Sequence, residues 1–262
     1  MQVRVYVYVY VYVYGFNLYY GAVKRTPYKW LDLVGLARQL VPAGFVVDKL
    51  KYFTARVSGV SNKRAPARQQ AFLSALQTLP EVEIHMGSFL AKTIWRPLTN
   101  LPVAGRAIHA PTVATLPAGD HRVVGRPRPQ TLPVKSYRQS STGKKKRRIT
   151  PPLPDAVIAE VHSMEEKGSD VNLAVHLLND AWKGLFDYAV VMSNDTDLVE
   201  PIRMVTVEQR KPVMVVCPGR WPMAPKLRNV ASHVRHIRAT MLKAAQLPAL
   251  IPGTTISKPQ GW

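Results

Sequence analysis

The stretch RVYVYVYVYVYGFNLYYG, residues 4–21, alternates valine with tyrosine and then stops at a glycine. Both residue types favour extended backbone, and the alternation places all valines on one face of a strand and all tyrosines on the other. We therefore predict a strand over residues 3–14, ended by Gly15. The run is longer than a usual strand of about five or six residues, so its N-terminal half is predicted to overhang the sheet or to form an exposed edge.

Outside residues 97–154 the sequence alternates predicted strands with predicted helices. Apolar residues at helical spacing predict helices over 29–41, 66–79, 169–185, 197–209 and 224–234. Apolar runs predict strands over 45–57, 82–89, 186–193 and 211–217, and 156–167 fits either state. This order predicts right-handed crossovers and an α/β fold with a parallel sheet. We expect one domain over residues 1–245, interrupted at 97–154, and a tail at 246–262.

The chain is strongly basic, with 36 Lys and Arg against 16 acidic residues and a net charge of +20. Such an excess indicates a polyanionic partner, either nucleic acid or an anionic membrane surface. Ten basic residues and no acid lie between His121 and Thr150, and the densest run is Lys144, Lys145, Lys146, Arg147 and Arg148.

Residues 97–154 cannot bury enough apolar surface to order themselves, so we expect a basic, flexible insertion. Its basic run would hold the phosphates of RNA or DNA. The alternative is a solvated loop, or a chance match to a nuclear-import signal.

The single cysteine, Cys217, excludes an intramolecular disulfide and a cysteine-based zinc site. No apolar run approaches the roughly 18–20 residues that a membrane span needs, and the valine–tyrosine run lacks the layout of a signal peptide. These features predict a soluble, cytoplasmic protein without membrane association.

Three polar clusters are expected at one edge of the predicted sheet, because ligands bind beyond the carboxyl ends of parallel strands. They are Gly15–Asn17, Glu165–Asp170 and Asn194–Asp197. Asp195 and Asp197 would repel each other unless a cation lay between them, and carboxylates suit Mg²⁺ or Mn²⁺.

Helix capping explains the same two acids equally well. Asp170, which stands two residues after Gly168 at the start of a predicted helix, allows the same two interpretations. Lys167 is either a phosphate contact or a solvated lysine.

The blocks GFNLYYG, EEKGSDVNLA and SNDTDL, in this order and spacing, resemble the NYN domain, a branch of the PIN-like ribonucleases. The resemblance implies a Rossmann-like, three-layer α/β/α fold with a mainly parallel sheet, and an acidic pocket that binds Mg²⁺ or Mn²⁺ and cuts RNA. By position it makes Asn17 the pocket asparagine, Asp170 the acid at the head of the central helix, and Asp195 and Asp197 the acidic pair.

One position departs from the family pattern, which has an aspartate directly before GFN as its first metal-facing carboxylate. This chain has Tyr14 there. A phenol with a pKa of about 10 is neutral at pH 7 and is a poor Mg²⁺ ligand. The replacement is therefore expected to weaken metal affinity.

The sequence thus predicts a metal-dependent ribonuclease, weakened by Tyr14, in which Asp170, Asp195 and Asp197 hold the ions and Asn17 orients the substrate. The alternative is an RNA-binding protein of the same fold with impaired catalysis. The P-loop motif and the three-glycine dinucleotide turn are both absent from the sequence. The sequence distinguishes neither RNA from DNA as the partner nor one oligomeric state from another.

Overall fold

The computed structural model describes residues 6–59, 62–97, 99–103, 106–109, 128–129, 157–219 and 222–262. The chain divides into two units. The first contains Met1–Phe89 and Glu166–Trp262, and the second contains Leu90–Glu165. The domain limits expected from the sequence remain a prediction.

Eleven strands are present in the described residues. They are β1 (Val7–Tyr14), β2 (Phe45–Thr54), β3 (Val82–Met86), β4 (Ser88–Pro97), β5 (Thr99–Val103), β6 (Arg106–His109), β7 (Arg128–Pro129), β8 (Val157–Lys167), β9 (Tyr188–Met192), β10 (Val213–Cys217) and β11 (His233–His236).

The α-helices of the described residues are α1 (Gly15–Leu18), α2 (Leu33–Leu40), α3 (Ala65–Leu76), α4 (Ser169–Trp182), α5 (Val199–Arg203), α6 (Pro225–Val230) and α7 (Ala239–Ala244). Within the described ranges, none of these helices has the length and apolar composition that crossing a membrane requires.

The first unit is built on a six-stranded sheet in the order β11-β10-β9-β1-β2-β3, and every neighbouring pair is parallel. The predicted α/β fold with a mainly parallel sheet is confirmed. Because β2 follows β1 on one side and β9 lies on the other, the strand order changes direction between β1 and β9. In such sheets a crevice opens at that point, beyond the carboxyl ends of the two strands.

The valine–tyrosine strand β1 separates two buried cores. Val9, Val11 and Val13 pack into the core that contains α2 and α3, whereas Tyr10 and Tyr12 pack into the core that contains α4. The predicted division of valines and tyrosines between the two faces is therefore confirmed. Pairing with β9 begins at Val9, whereas Val7 and Tyr8 pair with β2. Tyr8 also exchanges hydrogen bonds with Asp187, directly ahead of β9.

The structure assigns one stretch that the sequence leaves open and shortens one predicted helix. The ambiguous stretch 156–167 forms strand β8, and the helix predicted over 224–234 ends at Val230. Ser232 then exchanges hydrogen bonds with Val213 at the start of β10, which draws the following residues into the edge strand β11. Pairing with a neighbouring strand, rather than local propensity, decides the conformation here.

Residues 246–262, predicted as a tail, pack against the first core. The Trp30 indole Nε1 donates a hydrogen bond to the Pro248 carbonyl oxygen at 2.8 Å. The Trp262 ring lies 5.9 Å from the Trp30 ring and 5.5 Å from the Phe72 ring.

The second unit holds most of β4 and β8, which form a three-stranded sheet with β7, and the antiparallel pair β5–β6. Of these strands, β5, β6 and β7 fall inside the predicted insertion, 97–154. The basic run at residues 144–148 lies outside the described residues, so its predicted role in phosphate binding stays a prediction.

A buried ion pair fixes α4 on the sheet. The Lys51 Nζ of β2 lies 2.6 Å from the Asp180 Oδ2 of α4, and the Tyr12 hydroxyl donates to the same oxygen at 2.8 Å. The Lys51 and Asp180 side chains are only 9% and 2% exposed. A buried charge that loses its partner is strongly destabilising, so this contact sets the position of α4 across β1 and β2.

We predict that Asp180→Asn lowers the free energy of unfolding by about 3 kcal/mol, because it leaves the Lys51 ammonium buried beside a neutral amide. Urea unfolding at pH 7 measures the change. Glu200→Gln is the matched control, because it removes an equally short but exposed contact with Arg203 and should leave stability close to that of the wild type. Equal effects of the two substitutions would contradict the importance of the buried pair.

Candidate functional site

A pocket of about 430 Å³ opens at the carboxyl ends of β1, β9 and β10. This is the place where the strand order changes direction, as expected for a ligand site in an open α/β sheet. Its lining is formed by Tyr14, Phe16, Asn17, Tyr20, Gly21, Asn194, Asp195, Cys217, Pro218 and Gly219.

Tyr14 ends β1 at the rim of this pocket. Its hydroxyl donates a hydrogen bond to the Glu166 Oε2 at 2.7 Å, and the Glu166 Oε1 accepts one from the Ser169 N–H at 3.0 Å. One carboxylate therefore holds both the tyrosine and the first turn of α4. Burial, the hydrogen bond with Glu166 and the nearby Asp170 and Asp195 raise the pKa of Tyr14 well above its ordinary value. The phenol is protonated throughout the physiological pH range.

The predicted acids occupy different surroundings. Asp195 lines the pocket, and its Oδ1 accepts a hydrogen bond from the Asp197 N–H at 3.2 Å, so it caps the short helical turn Thr196–Leu198. Asp170 lies in the first turn of α4, close enough to influence Tyr14 electrostatically, whereas Asp197 is exposed. Of the two interpretations of Asp195 from the sequence, helix capping is the one that its carboxylate fulfils in this structure.

Asn17 connects the ends of the two central strands. Its Oδ1 accepts a hydrogen bond from the Asn194 N–H, directly after β9, at 3.0 Å. The Asn194 side chain in turn accepts from the Ala224 N–H at 2.9 Å and donates to the Pro222 carbonyl oxygen at 3.3 Å. Sequence reasoning missed this role of Asn194, although its position directly after a buried strand was a usable signal.

Aromatic rings form one wall of the pocket. The Phe16 ring stacks with the Tyr20 ring at 6.4 Å and meets the Phe89 ring edge-on at 5.4 Å. The Lys24 Nζ lies 4.5 Å from the centre of the Tyr20 ring, and Tyr20 is 61% exposed. An exposed ring beside a cation suits a planar ligand that carries negative charge.

The residues at this site do not fit a divalent ion in their present arrangement. Among the residues that the structure describes, no group of three or more His, Cys, Asp or Glu side chains is placed to hold a metal ion. Both Glu166 oxygens accept hydrogen bonds, and the Tyr14 hydroxyl stands among the acids as a donor rather than as an anionic ligand. No reaction step through a metal ion follows from this arrangement.

The family model of the NYN domain matches residues 135–238. The recognition made from the sequence is thereby confirmed. The matched residues of this chain include Glu166, Asp170 and Asp195. Tyr14 and Asn17 lie before the matched range. The match indicates a nuclease family, and nucleases with an NYN domain generally use divalent metal ions.

Two known proteins are similar to the chain over most of its length. The 6-hydroxy-3-succinoylpyridine 3-monooxygenase HspA of Pseudomonas putida is 27% identical over 275 residues, which covers 95% of this chain and 73% of that protein. A solved structure of a protein of unknown function from Vibrio parahaemolyticus covers 91% of this chain and 98% of its own, with 14% identity and a TM-score of 0.45.

Lys167, predicted to contact nucleic acid, is exposed at the end of β8. It stands directly after Glu166 in the chain and therefore borders the acidic cluster formed by Glu166, Asp170 and Asp195. This position is compatible with a contact to phosphate, which remains a prediction.

A second polar cluster lies between β3 and α4. The His85 and His176 rings are 4.1 Å apart, the Phe53 ring stacks on His85 at 4.9 Å, and the Lys51 Nζ lies 3.5 Å from the His176 Nδ1. Burial lowers the pKa of both histidines, and the nearby Lys51 lowers both further. The sequence singles out neither His85 nor His176, because their proximity depends on how α4 lies across the strands.

We predict that the free energy of unfolding falls as the pH drops from 7.5 towards 5. A histidine whose pKa is lowered by folding contributes its full stability above the unfolded pKa of about 6.5, and loses it as the pH falls below that value. Glu83 and Asp180 oppose this effect only in part.

Urea unfolding at pH 7.5, 6.5 and 5.5 measures the dependence, and the double substitution of His85→Phe and His176→Leu should make it shallower. An unchanged pH dependence in the double variant would show that other groups cause the loss.

Proposed function

We propose that this protein binds RNA through its NYN fold and that Tyr14 impairs metal-dependent cleavage. The observation that carries the proposal is the hydrogen bond from the Tyr14 hydroxyl to Glu166, at the position of the first metal-facing aspartate in the family pattern. A protonated phenol supplies no negative charge and uses one carboxylate oxygen that would otherwise face an ion.

The remaining acids still concentrate negative charge at the rim of the pocket. Asp170 and Asp195 both act on the Tyr14 hydroxyl from different elements, α4 and the end of β9. Binding of Mg²⁺ or Mn²⁺ by Asp170, Asp195 and Asp197, with Asn17 orienting the substrate, stays a prediction. Replacing Tyr14 with an acid is the most direct way to test it.

The charge of the chain supports RNA as the partner. A net charge of +20 attracts phosphates, and the exposed Lys167 and the Lys24–Tyr20 pair border the acidic cluster and the pocket. The exposed Tyr20 ring offers a stacking surface for an unpaired base. The cytoplasmic location and the discrimination of RNA from DNA remain predictions.

We predict that Tyr14→Asp raises the affinity for Mn²⁺ by roughly 10–100-fold, the range typical of changes to groups that support a metal ligand. The same variant should cut a single-stranded RNA that the wild type binds but leaves intact. Calorimetry measures Mn²⁺ binding, and gel electrophoresis measures cleavage. Tyr14→Asn is the matched control, because it removes the phenol and its bond to Glu166 without adding a charge.

The alternative outcomes separate the proposal from its rival. Cleavage by the wild type that disappears in Asp195→Asn would favour the metal-dependent ribonuclease predicted from the sequence. A wild type that fails to bind RNA at low salt would overturn the proposal itself.

A second candidate function is the oxidation of a small aromatic compound. The relative named as a monooxygenase is similar over 95% of this chain. The pocket of about 430 Å³ has the size of a small-molecule site and an aromatic wall. Monooxygenation would add one atom of O₂ to the ring as a hydroxyl group and release the other as water, with two electrons from an external reductant and two protons from solvent.

If this candidate is right, 6-hydroxy-3-succinoylpyridine should bind in the pocket, and Tyr20→Ala should weaken binding by about tenfold through loss of ring stacking. Tyr8→Ala is the matched control, because Tyr8 is also exposed but lies at the opposite end of β1. Calorimetry measures both. Absent binding, or equal effects of the two substitutions, would remove this candidate.

A further inference from the structure

Helix α4 carries apolar residues on two opposite faces. Its inner face packs Leu173, Leu177 and Ala181 into the second core. The opposite face presents a line of apolar residues that we name the outer stripe. The outer stripe consists of Val171, Val175, Leu178 and Trp182 of α4 and of Leu185, just beyond the end of the helix. Leu178 is half-buried, because it also packs against the second core.

The outer stripe is largely open to solvent in the described structure. Trp182 is 79% exposed, Val171 59%, Val175 57% and Leu185 46%. A surface helix normally presents polar residues on the face opposite the core. A contiguous apolar patch of this kind marks an interaction surface rather than a solvated face.

The spacing of the outer stripe is that of a helix-pairing seam. Its residues follow each other at intervals of four, three, four and three, which is the spacing of the apolar seam in coiled coils. Gly184, with a φ of 69°, ends the helix, and the Leu185 N–H bonds back to the Asp180 carbonyl oxygen at 3.0 Å. This closure keeps Leu185 next to the end of α4.

We propose that the outer stripe is a self-association surface, on which a second copy of this chain packs its own α4 in antiparallel orientation about a two-fold axis. With the axis at Leu178, Val171 of one copy faces Leu185 of the other, and Val175 faces Trp182. Each of these two contacts joins a smaller side chain to a larger one, which favours close packing, and Leu178 meets its own copy on the axis. An interface of this type closes as a dimer.

The charges favour this orientation. Antiparallel helices place the N-terminus of each α4 beside the C-terminus of the other, which is favourable for their dipoles. In a two-fold antiparallel pair, each flank of the helix meets the same flank of the second copy. Lys183 of one copy therefore lies beside Asn172 of the other, so this flank brings no like charges together.

The area of the outer stripe indicates a weak dimer. Since a fully exposed large aromatic side chain presents about 150–250 Å², the stripe offers on the order of 400 Å² per copy. Two stripes with their polar borders approach the lower limit of about 1,200 Å² for specific interfaces. We therefore expect a dissociation constant in the micromolar range.

Sedimentation equilibrium of the full chain, freed of RNA and held in roughly 0.5 M salt to suppress bridging by nucleic acid, tests the proposal. The wild-type mass should rise from 29.3 kDa towards twice that value with increasing concentration. Trp182→Glu should stay monomeric at concentrations where the wild type is mostly dimeric. Val207→Glu is the matched control, because Val207 is 61% exposed and lies outside the stripe.

Three outcomes would overturn the proposal. They are a wild type that stays monomeric at about 100 µM, a Trp182→Glu variant that dimerises like the wild type, and a Val207→Glu variant that is equally monomeric. Because both substituted residues are exposed, loss of folding is not expected, and thermal unfolding of each variant checks this.

Cross-linking tests the orientation. Under mild oxidation, a mixture of Val171→Cys and Leu185→Cys should form a disulfide-linked dimer, whereas neither variant should cross-link with itself. The native Cys217 is buried, and the oxidised wild type serves as the control. Self-cross-linking of each variant would indicate parallel helices, and absence of any cross-link would also contradict the proposed pairing.

Discussion

Parallel pairing of β1 with both β2 and β9 is the constraint on which the rest of the first unit depends. It buries valines on one face and tyrosines on the other, and it determines which side chain emerges at the carboxyl edge. Because the side-chain period of a strand is two, residue 14 must point to the same face as Tyr10 and Tyr12, towards α4. Tyr14 therefore reaches the site because it continues the valine–tyrosine alternation of β1.

At that edge, the Tyr14 hydroxyl determines how the neighbouring carboxylates are paired. An acid at position 14 would add charge beside Glu166, Asp170 and Asp195, and such a cluster requires a cation. Tyr14 instead donates a hydrogen bond to Glu166, so the carboxylates are partly satisfied within the protein. Under the proposed function, the fold would bind RNA while Tyr14 reduces its capacity for metal-dependent cleavage, which is why that proposal separates binding from cleavage.

The features that could be predicted from the sequence are those that depend on local pattern. The alternation of valine and tyrosine predicts β1, and the helical spacing of apolar residues predicts α4. The positions of Asn17 and Asp195 after predicted strands place them at the pocket. Contacts across the sheet could not be predicted, because the Lys51–Asp180 pair and the His85–His176 contact require the register of α4 on β2 and β3.

The edge strand β11 and the partner of Tyr14 were missed for a related reason. Backbone pairing with β10 overrides a helical pattern in β11. The sequence identified Tyr14 as a departure from the family pattern, but only the placement of Glu166 and the start of α4 reveals that Glu166 accepts its hydrogen bond.

The central location of β1 also has a consequence for how the protein folds. Its partner on one side follows within about 40 residues, but its partner on the other side, β9, is synthesised some 180 residues later, as the bond between Tyr8 and Asp187 illustrates. Contacts this distant along the chain form slowly. Until they form, one edge of an uncharged valine–tyrosine strand stays open, and such an edge readily recruits other chains into aggregates. The interval before β9 is made is therefore the stage of synthesis at which this chain is most exposed to aggregation.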